Sequence, residues 1–159
     1  MRTRKQAIAA AVLGLGWSVV IAGAHEASHF SAGEPGNEKK PARTVTVIMR
    51  EGDGVMQFVP DRIDVRKGDQ VRFILQNRGV LKHEFTLGNV DDNNKHAELM
   101  KKYPEMEHDD PNSKTVDPGK TAEMLWHFSK AGTFEFACLI PGHREAGMHG
   151  TVAVSHRAK

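Results

Sequence analysis

The chain has 159 residues, enough for one domain with a complete hydrophobic core and no indication of a second. Its formal net charge is +2, from 22 lysines and arginines against 20 aspartates and glutamates. Three of the basic residues lie in the first 24 positions, which leaves 19 basic and 20 acidic residues in the rest of the chain, a net charge of −1. A charge so close to neutral predicts no nucleic-acid partner.

The N-terminus has the pattern of an export signal. Three basic residues among the first five precede the apolar run 7–20, and Ala22-Gly23-Ala24 supplies a small-residue cleavage site. We expect residues 1–24 to be a cleaved signal peptide, which leaves an exported protein of 135 residues with no membrane anchor. The alternative is an uncleaved anchor, because 7–24 spans 18 residues, at the short end of what crosses a bilayer.

Residues 25–42 are rich in Gly, Pro, Glu, Lys and Ser and lack an apolar period, so we expect a flexible arm that contains histidine. The pattern changes at Arg43, where short runs of alternating apolar residues begin, separated by turn residues. These runs fall at 45–49, 63–65, 71–75, 83–87, 121–128, 133–138 and 150–154. About seven or eight strands at this spacing predict an all-β sandwich or barrel over residues 43–159.

One segment interrupts the strands. Residues 94–103 contain Ala, Glu, Leu, Met and Lys with no Gly or Pro, which predicts a short helix inside a long connection.

Cys138 is the single cysteine of the chain. An unpaired thiol is at risk of oxidation in the compartments that exported proteins reach, so it requires an explanation. One is a buried, inert thiol. The other is a thiolate that is bound to a metal.

The segment 138–148 contains Cys138, His143 and Met148 with four residues between each pair. His83 lies on the same strand face as Phe85, and Cys138 ends a later strand, so the potential ligands converge at one end of the sandwich. Two imidazoles, one thiolate and a weak, distant thioether form the ligand set of a blue-copper site, whereas zinc does not favour the thioether. A lone histidine or methionine is more often a packing residue, but the four together favour a copper site.

The strand-borne His83 followed by Cys-x4-His-x4-Met resembles the cupredoxin family, which includes plastocyanins, azurins and rusticyanins. The resemblance covers roughly residues 43–155 and implies a Greek-key β-sandwich with one type 1 copper, in which His83, Cys138 and His143 are equatorial ligands and Met148 is axial. It also implies that a redox partner docks where the His143 ring emerges, beside an apolar patch that we place at 139–141.

The chain departs from azurin, since one cysteine cannot form the azurin disulfide, and from compact cupredoxins in its long connection after His83. With its histidine-bearing N-terminal arm and the methionines and histidines of its long connection, the chain resembles the periplasmic cupredoxins associated with bacterial copper tolerance. Two further groups are candidates for additional, weaker copper binding. The first is the arm pair His25 and His29, and the second lies in the long connection: His96, Met100, Met106 and His108.

Two functions fit these residues. One is copper tolerance in the periplasm, by binding copper or by oxidising Cu(I) to Cu(II); the other is a soluble single-electron carrier between periplasmic redox partners. A copper oxidase or nitrite reductase requires a second copper site built from further histidines, so we expect no enzyme activity beyond weak Cu(I) oxidation. We expect a monomer.

Overall fold

The structure is a computed structural model that describes residues 30–103 and 110–156. It contains one helix, α1, at Val90–Lys102. The strands, in chain order, are β1 Glu34–Pro35, β2 Arg43–Gly52, β3 Val55–Val59, β4 Arg62–Arg66, β5 Gln70–Asn77, β6 His83–Gly88, β7 Ser113–Val116, β8 Thr121–His127, β9 Gly132–Ala137 and β10 His149–Ser155.

The strands form two five-stranded sheets. The first has the order β1-β8-β5-β2-β3 and the second the order β4-β10-β9-β6-β7. The pairs β2–β5 and β4–β10 are parallel, and the other pairs are antiparallel. Some consecutive strands pair within one sheet, as β2 and β3 do, while others pass from one sheet to the other, as β3 and β4 do. This arrangement confirms the predicted β-sandwich.

Aromatic side chains fill the space between the sheets. Phe85 stacks on Phe136 with ring centroids 5.1 Å apart, and Phe58 meets Phe136 edge-on at 5.3 Å. All three rings are buried. Burial of aromatic area is the largest favourable contribution to such a core. The contact of Phe58 with Phe136 joins the two sheets, whereas Phe85 and Phe136 lie on neighbouring strands of the second sheet.

All seven predicted runs are strands, and three short strands join them. β1 has two residues, β3 begins with an exposed valine, and β7 has a single buried apolar residue, so none has a clear alternating pattern. The predicted helix is also present but begins four residues earlier, at Val90. Asn89 caps it there, because its side chain accepts a hydrogen bond of 2.7 Å from Asp92 N–H.

Every residue of β6 is buried. Phe85 and Leu87 face the core between the sheets, while α1 packs on β6 and β9 from outside. The helix residue Met100 lies against Ala137 and Leu139. The long connection after His83 is thus a cover over the outer face of the second sheet.

Residues 30–42, the described part of the predicted arm, pack against the first sheet. Ala32 is fully buried, and β1 pairs with the end of β8 at His127. The Gln70 side chain accepts a hydrogen bond of 2.6 Å from Asn37 N–H and donates bonds to the carbonyls of Asn37 and Lys40. These contacts satisfy a buried amide, so this stretch is part of the folded domain.

The predicted signal peptide and residues 25–29 lie outside the described residues. Within the described ranges, α1 is not long and apolar enough to span a bilayer.

The contribution of the Gln70 hydrogen bonds to holding residues 37–40 against the first sheet can be tested by Gln70→Ala. We expect this change to lower the free energy of unfolding by about 1–3 kcal/mol, because it leaves backbone groups of the segment without partners. Urea unfolding of the apoprotein measures the loss. Gln76→Ala is the matched control on the same strand, since the Gln76 side chain accepts a hydrogen bond from Arg78 in an exposed pair, and it should cost about 0.5 kcal/mol or less. Equal losses of unfolding free energy in the two variants would contradict the role of Gln70 in holding residues 37–40.

Candidate metal centre

The pairing of three strands in the second sheet brings the predicted ligands together. His83 begins β6, Cys138 directly follows β9, and Met148 directly precedes β10. β9 lies between β6 and β10, and Ala137 pairs with both Thr86 and His149. The ends of these strands therefore form one edge of the sandwich, where residues far apart in sequence meet.

Three donor atoms face one another at this edge. His143 Nδ1 lies 3.3 Å from Cys138 Sγ and 3.3 Å from His83 Nδ1, and the three donors all lie within 4.8 Å of one another. Donor atoms that each bind one ion at about 2.0–2.3 Å are separated from one another by distances similar to those between these three atoms. His83 and Cys138 are fully buried and His143 is partly exposed. One thiolate and two imidazoles in this arrangement fit a copper ion.

Met148 is fully buried in the same hydrophobic cluster as Cys138. Its backbone closes the loop, because Met148 C=O accepts a hydrogen bond of 3.0 Å from Cys138 N–H and Met148 N–H donates one of 3.0 Å to His143 C=O. The thioether is thereby held in the same loop as the thiol and the imidazole.

Burial dominates the chemistry of the thiol. It raises the pKa of Cys138 to about 12, although the backbone N–H groups of Glu84 and Ile140 act in the opposite direction. Glu84 N–H lies 3.3 Å from Cys138 Sγ. Burial also lowers the pKa values of His83 and His143, so both rings are neutral at pH 7 and can accept a metal.

Strand alternation predicts that Glu84, which follows the inward-facing His83, lies on the solvated surface, and this prediction is wrong. The side chain is 2% exposed, because α1 packs over the outer face of β6 and β7 pairs along its edge. Its carboxylate accepts hydrogen bonds from Ser113 Oγ at 3.0 Å and Leu139 N–H at 3.3 Å, and His96 Nε2 lies 3.8 Å away. Burial acts to raise the pKa of Glu84, but these partners hold it below its ordinary value.

The outer ring nitrogen of His83 faces a residue that sequence reasoning missed. Glu51 Oε1 lies 2.8 Å from His83 Nε2. In the sequence, Glu51 precedes the turn residues 52–54, and no local pattern connects it with His83 on the other sheet. The Asn77 side chain, at the end of β5, has other partners, because Nδ2 donates to Leu81 C=O at 2.7 Å and Val116 C=O at 2.8 Å.

An ion pair ties the ligand loop to the rest of the second sheet. Arg144, next to His143, donates two hydrogen bonds of 2.8 Å to the Glu135 carboxylate, which also accepts one from Asn93 Nδ2 at 2.9 Å. Arg144 Nη1 further donates to Asn94 Oδ1 at 2.6 Å. The helix in the long connection therefore helps to hold the loop between Cys138 and Met148.

The apolar patch beside His143 differs from the predicted one. Leu139 is buried beneath α1, Ile140 is half-buried and only Pro141 of the three is exposed. Val80 and Leu81, in the loop before His83, are 83% and 42% exposed.

The additional copper candidates are only partly described. His25, His29, Met106 and His108 lie outside the described residues. His96 faces Glu84, and Met100 packs in a hydrophobic cluster. Within residues 30–103 and 110–156, the group of His, Cys or carboxylate side chains close enough to share an ion is His83, Cys138 and His143. Extra copper binding stays a prediction.

Comparison with known proteins agrees with this geometry. The profile of the family described as copper binding proteins, plastocyanin/azurin family, matches residues 45–155. The copper-resistant cuproprotein CopI of Rubrivivax gelatinosus is 48% identical over 122 residues, which are 77% of this chain and 72% of that protein. CopI of Pseudomonas aeruginosa is 38% identical over 154 residues, covering 77% of this chain and 81% of that protein.

Among solved structures, auracyanin B superposes with a TM-score of 0.62 at 22% identity, covering 79% of this chain and 98% of that one, and so shares the fold. The resemblance inferred from the sequence is confirmed by these matches, and the chain belongs to the plastocyanin/azurin family of copper-binding proteins.

Proposed function

We propose that this chain is an exported type 1 copper protein that contributes to copper tolerance in the periplasm. His83, Cys138, His143 and Met148 would hold the copper, with the thiolate and the two imidazoles as the strong donors and the thioether as the weak one. The observation that carries the proposal is the convergence of one thiol and two imidazoles within 4.8 Å at a buried strand edge. The name of the CopI relatives, copper-resistant cuproproteins, supports the physiological role.

Bound copper would supply a one-electron Cu(I)/Cu(II) couple, and the chain's own residues determine how that couple behaves. His83 and Cys138 are fully buried, so water does not reach their side chains. Backbone hydrogen bonds fix the loop that carries His143 and Met148. Ligands that cannot move keep the structural change between oxidation states small, which suits both stable copper binding and electron transfer.

The second candidate is a soluble electron carrier. It is favoured by the partial exposure of His143, the ligand through which an electron would leave, and by exposed apolar residues in the loop before His83. A carrier needs one copper per chain, whereas a protein that buffers copper gains from further copper bound by the arm. We propose a non-enzymatic role in either case, because one such centre in one domain does not supply the second copper site of an oxidase or nitrite reductase.

Cys138→Ala tests the centre. The chain loaded with Cu(II) should show intense visible absorption from thiolate-to-copper charge transfer, and the variant should lose it because the thiolate is absent. His149→Ala is a matched control, since His149 is exposed and directly follows Met148, and it should keep the absorption. Absence of the band from the unaltered chain would overturn the proposed function.

Copper binding should release about one proton per ion at pH 7, because the Cys138 thiol, with a pKa raised to about 12, must lose its proton to bind. Both histidine rings are already neutral and release none. Copper affinity should therefore rise with pH by about tenfold per unit above neutrality. Calorimetry in two buffers of different ionisation enthalpy measures the proton count. A count of zero in the unaltered chain would mean that Cys138 is not a ligand.

The arm histidines can be tested by deleting residues 25–29. Phe30 C=O accepts a hydrogen bond from Lys130, just before β9, whereas Cys138 follows the other end of that strand. A copper bound by His25 and His29 should thus be independent of Cys138. If the protein serves copper tolerance, we expect metal analysis to find more than one copper per chain. Deletion of residues 25–29 should lower this number to one, whereas the control His127→Ala should leave it unchanged. One copper per chain in both forms would favour the electron carrier.

A further inference from the structure

Glu51 lies beside His83, a proposed copper ligand, although the two residues belong to different sheets. It lies near the end of β2 in the first sheet, whereas His83 begins β6 in the second. The Glu51 side chain is 17% exposed and His83 is fully buried. The carboxylate is therefore screened from water on the side where it meets the imidazole.

The loop before His83 is built around this carboxylate. Val80 N–H donates to Oε2 at 3.0 Å, and Leu81 N–H donates to Oε1 at 2.8 Å. Gly79 makes room for it, because a Cβ at that position would collide with Oε2. Asn77 Oδ1 accepts from Gly79 N–H at 2.9 Å and braces the same turn. These contacts fix the position of the negative charge.

The two nitrogens of His83 face different partners. Nδ1 lies 3.3 Å from His143 Nδ1, inside the proposed copper centre, and Nε2 lies 2.8 Å from Glu51 Oε1. The second pair is in contact but does not meet hydrogen-bond geometry. An imidazole that binds a metal through Nδ1 keeps its proton on Nε2, so its N–H side lies against a fixed carboxylate.

We propose that Glu51 is a positioning residue that holds His83 with Nδ1 towards the copper and biases the centre towards Cu(II). This inference rests on the proposed type 1 site. A carboxylate behind a ligating imidazole makes the ring a better donor, and its negative charge stabilises the ion with the larger positive charge. The bias involves one electron and no proton: Cu(II) gains an electron to become Cu(I), and the Nε2 proton stays on the ring.

Glu51→Gln removes the charge and keeps the contact with the ring. A glutamine amide oxygen in the place of Oε1 keeps the contacts with Leu81 N–H and His83 Nε2, while the negative charge is lost and the amide nitrogen in the place of Oε2 no longer accepts from Val80 N–H. Asp53→Asn is the matched control, because it removes a charge from the same hairpin at an exposed residue. Asp53 has a backbone φ of 53°, a conformation that asparagine also tolerates.

The measurement is redox equilibrium between the copper-loaded chain and the ferrocyanide/ferricyanide couple, in which each ferrocyanide oxidised reduces one Cu(II). We expect Glu51→Gln to shift the equilibrium constant about tenfold towards Cu(I), with Asp53→Asn close to the unaltered chain. Nitrogen-15 NMR of the diamagnetic Cu(I) form should show a slowly exchanging His83 Nε2–H that is lost in Glu51→Ala.

Two failures are distinguishable. If the unaltered chain shows no thiolate-to-copper absorption, the proposed function fails. If that absorption is present but Glu51→Gln shifts the equilibrium no more than Asp53→Asn, the centre stands and the role of Glu51 is overturned. A His83 Nε2–H that exchanges equally slowly in Glu51→Ala would likewise contradict the positioning role.

Discussion

The burial of one thiol against two imidazole rings is the constraint on which the rest of this structure depends. Removing Cys138 from water disfavours its ionised form, and placing two neutral rings in contact with it leaves polar donors with little solvent. A cation bound by all three offsets these costs at once, since it holds the thiol as a thiolate and uses the nitrogen lone pairs. The centre is therefore organised for a metal rather than for a stable apoprotein core.

Contacts other than those between the ligand side chains produce that organisation. The backbone bonds between Cys138, His143 and Met148 form a closed loop, and the Arg144–Glu135 pair anchors it to β9 and α1. The pair is only about one-fifth exposed or less, so it is less screened than a surface pair and keeps its geometry. The long connection after His83 thus has a structural use: its helix covers β6, buries Glu84 and supports the ligand loop.

Sequence alone was sufficient for the fold and for the elements that carry the site, because both depend on local patterns. Alternation located the seven main strands, and the spacing of Cys138, His143 and Met148 within one loop required no long-range information. Strand parity correctly placed His83 facing inwards. The proposed ligand roles rest on the same patterns.

The features that sequence reasoning missed all depend on contacts between distant segments. Glu84 alternates with core residues and so looks exposed, but α1 covers that face. Glu51 reaches His83 only because the end of β2 and the start of β6 lie at the same edge of the sandwich. Residues 30–42 have no apolar period, yet a few buried groups such as Ala32 and Gln70 attach them to the first sheet.

X-ray absorption spectroscopy of the copper-loaded chain tests the central claim most directly, because it counts the atoms bound to the ion. The account predicts one copper–sulfur distance of about 2.3 Å and two copper–nitrogen distances of about 2.0 Å, with further sulfur only at longer range. A first coordination shell made of nitrogen and oxygen alone, without the short sulfur contact, would contradict it.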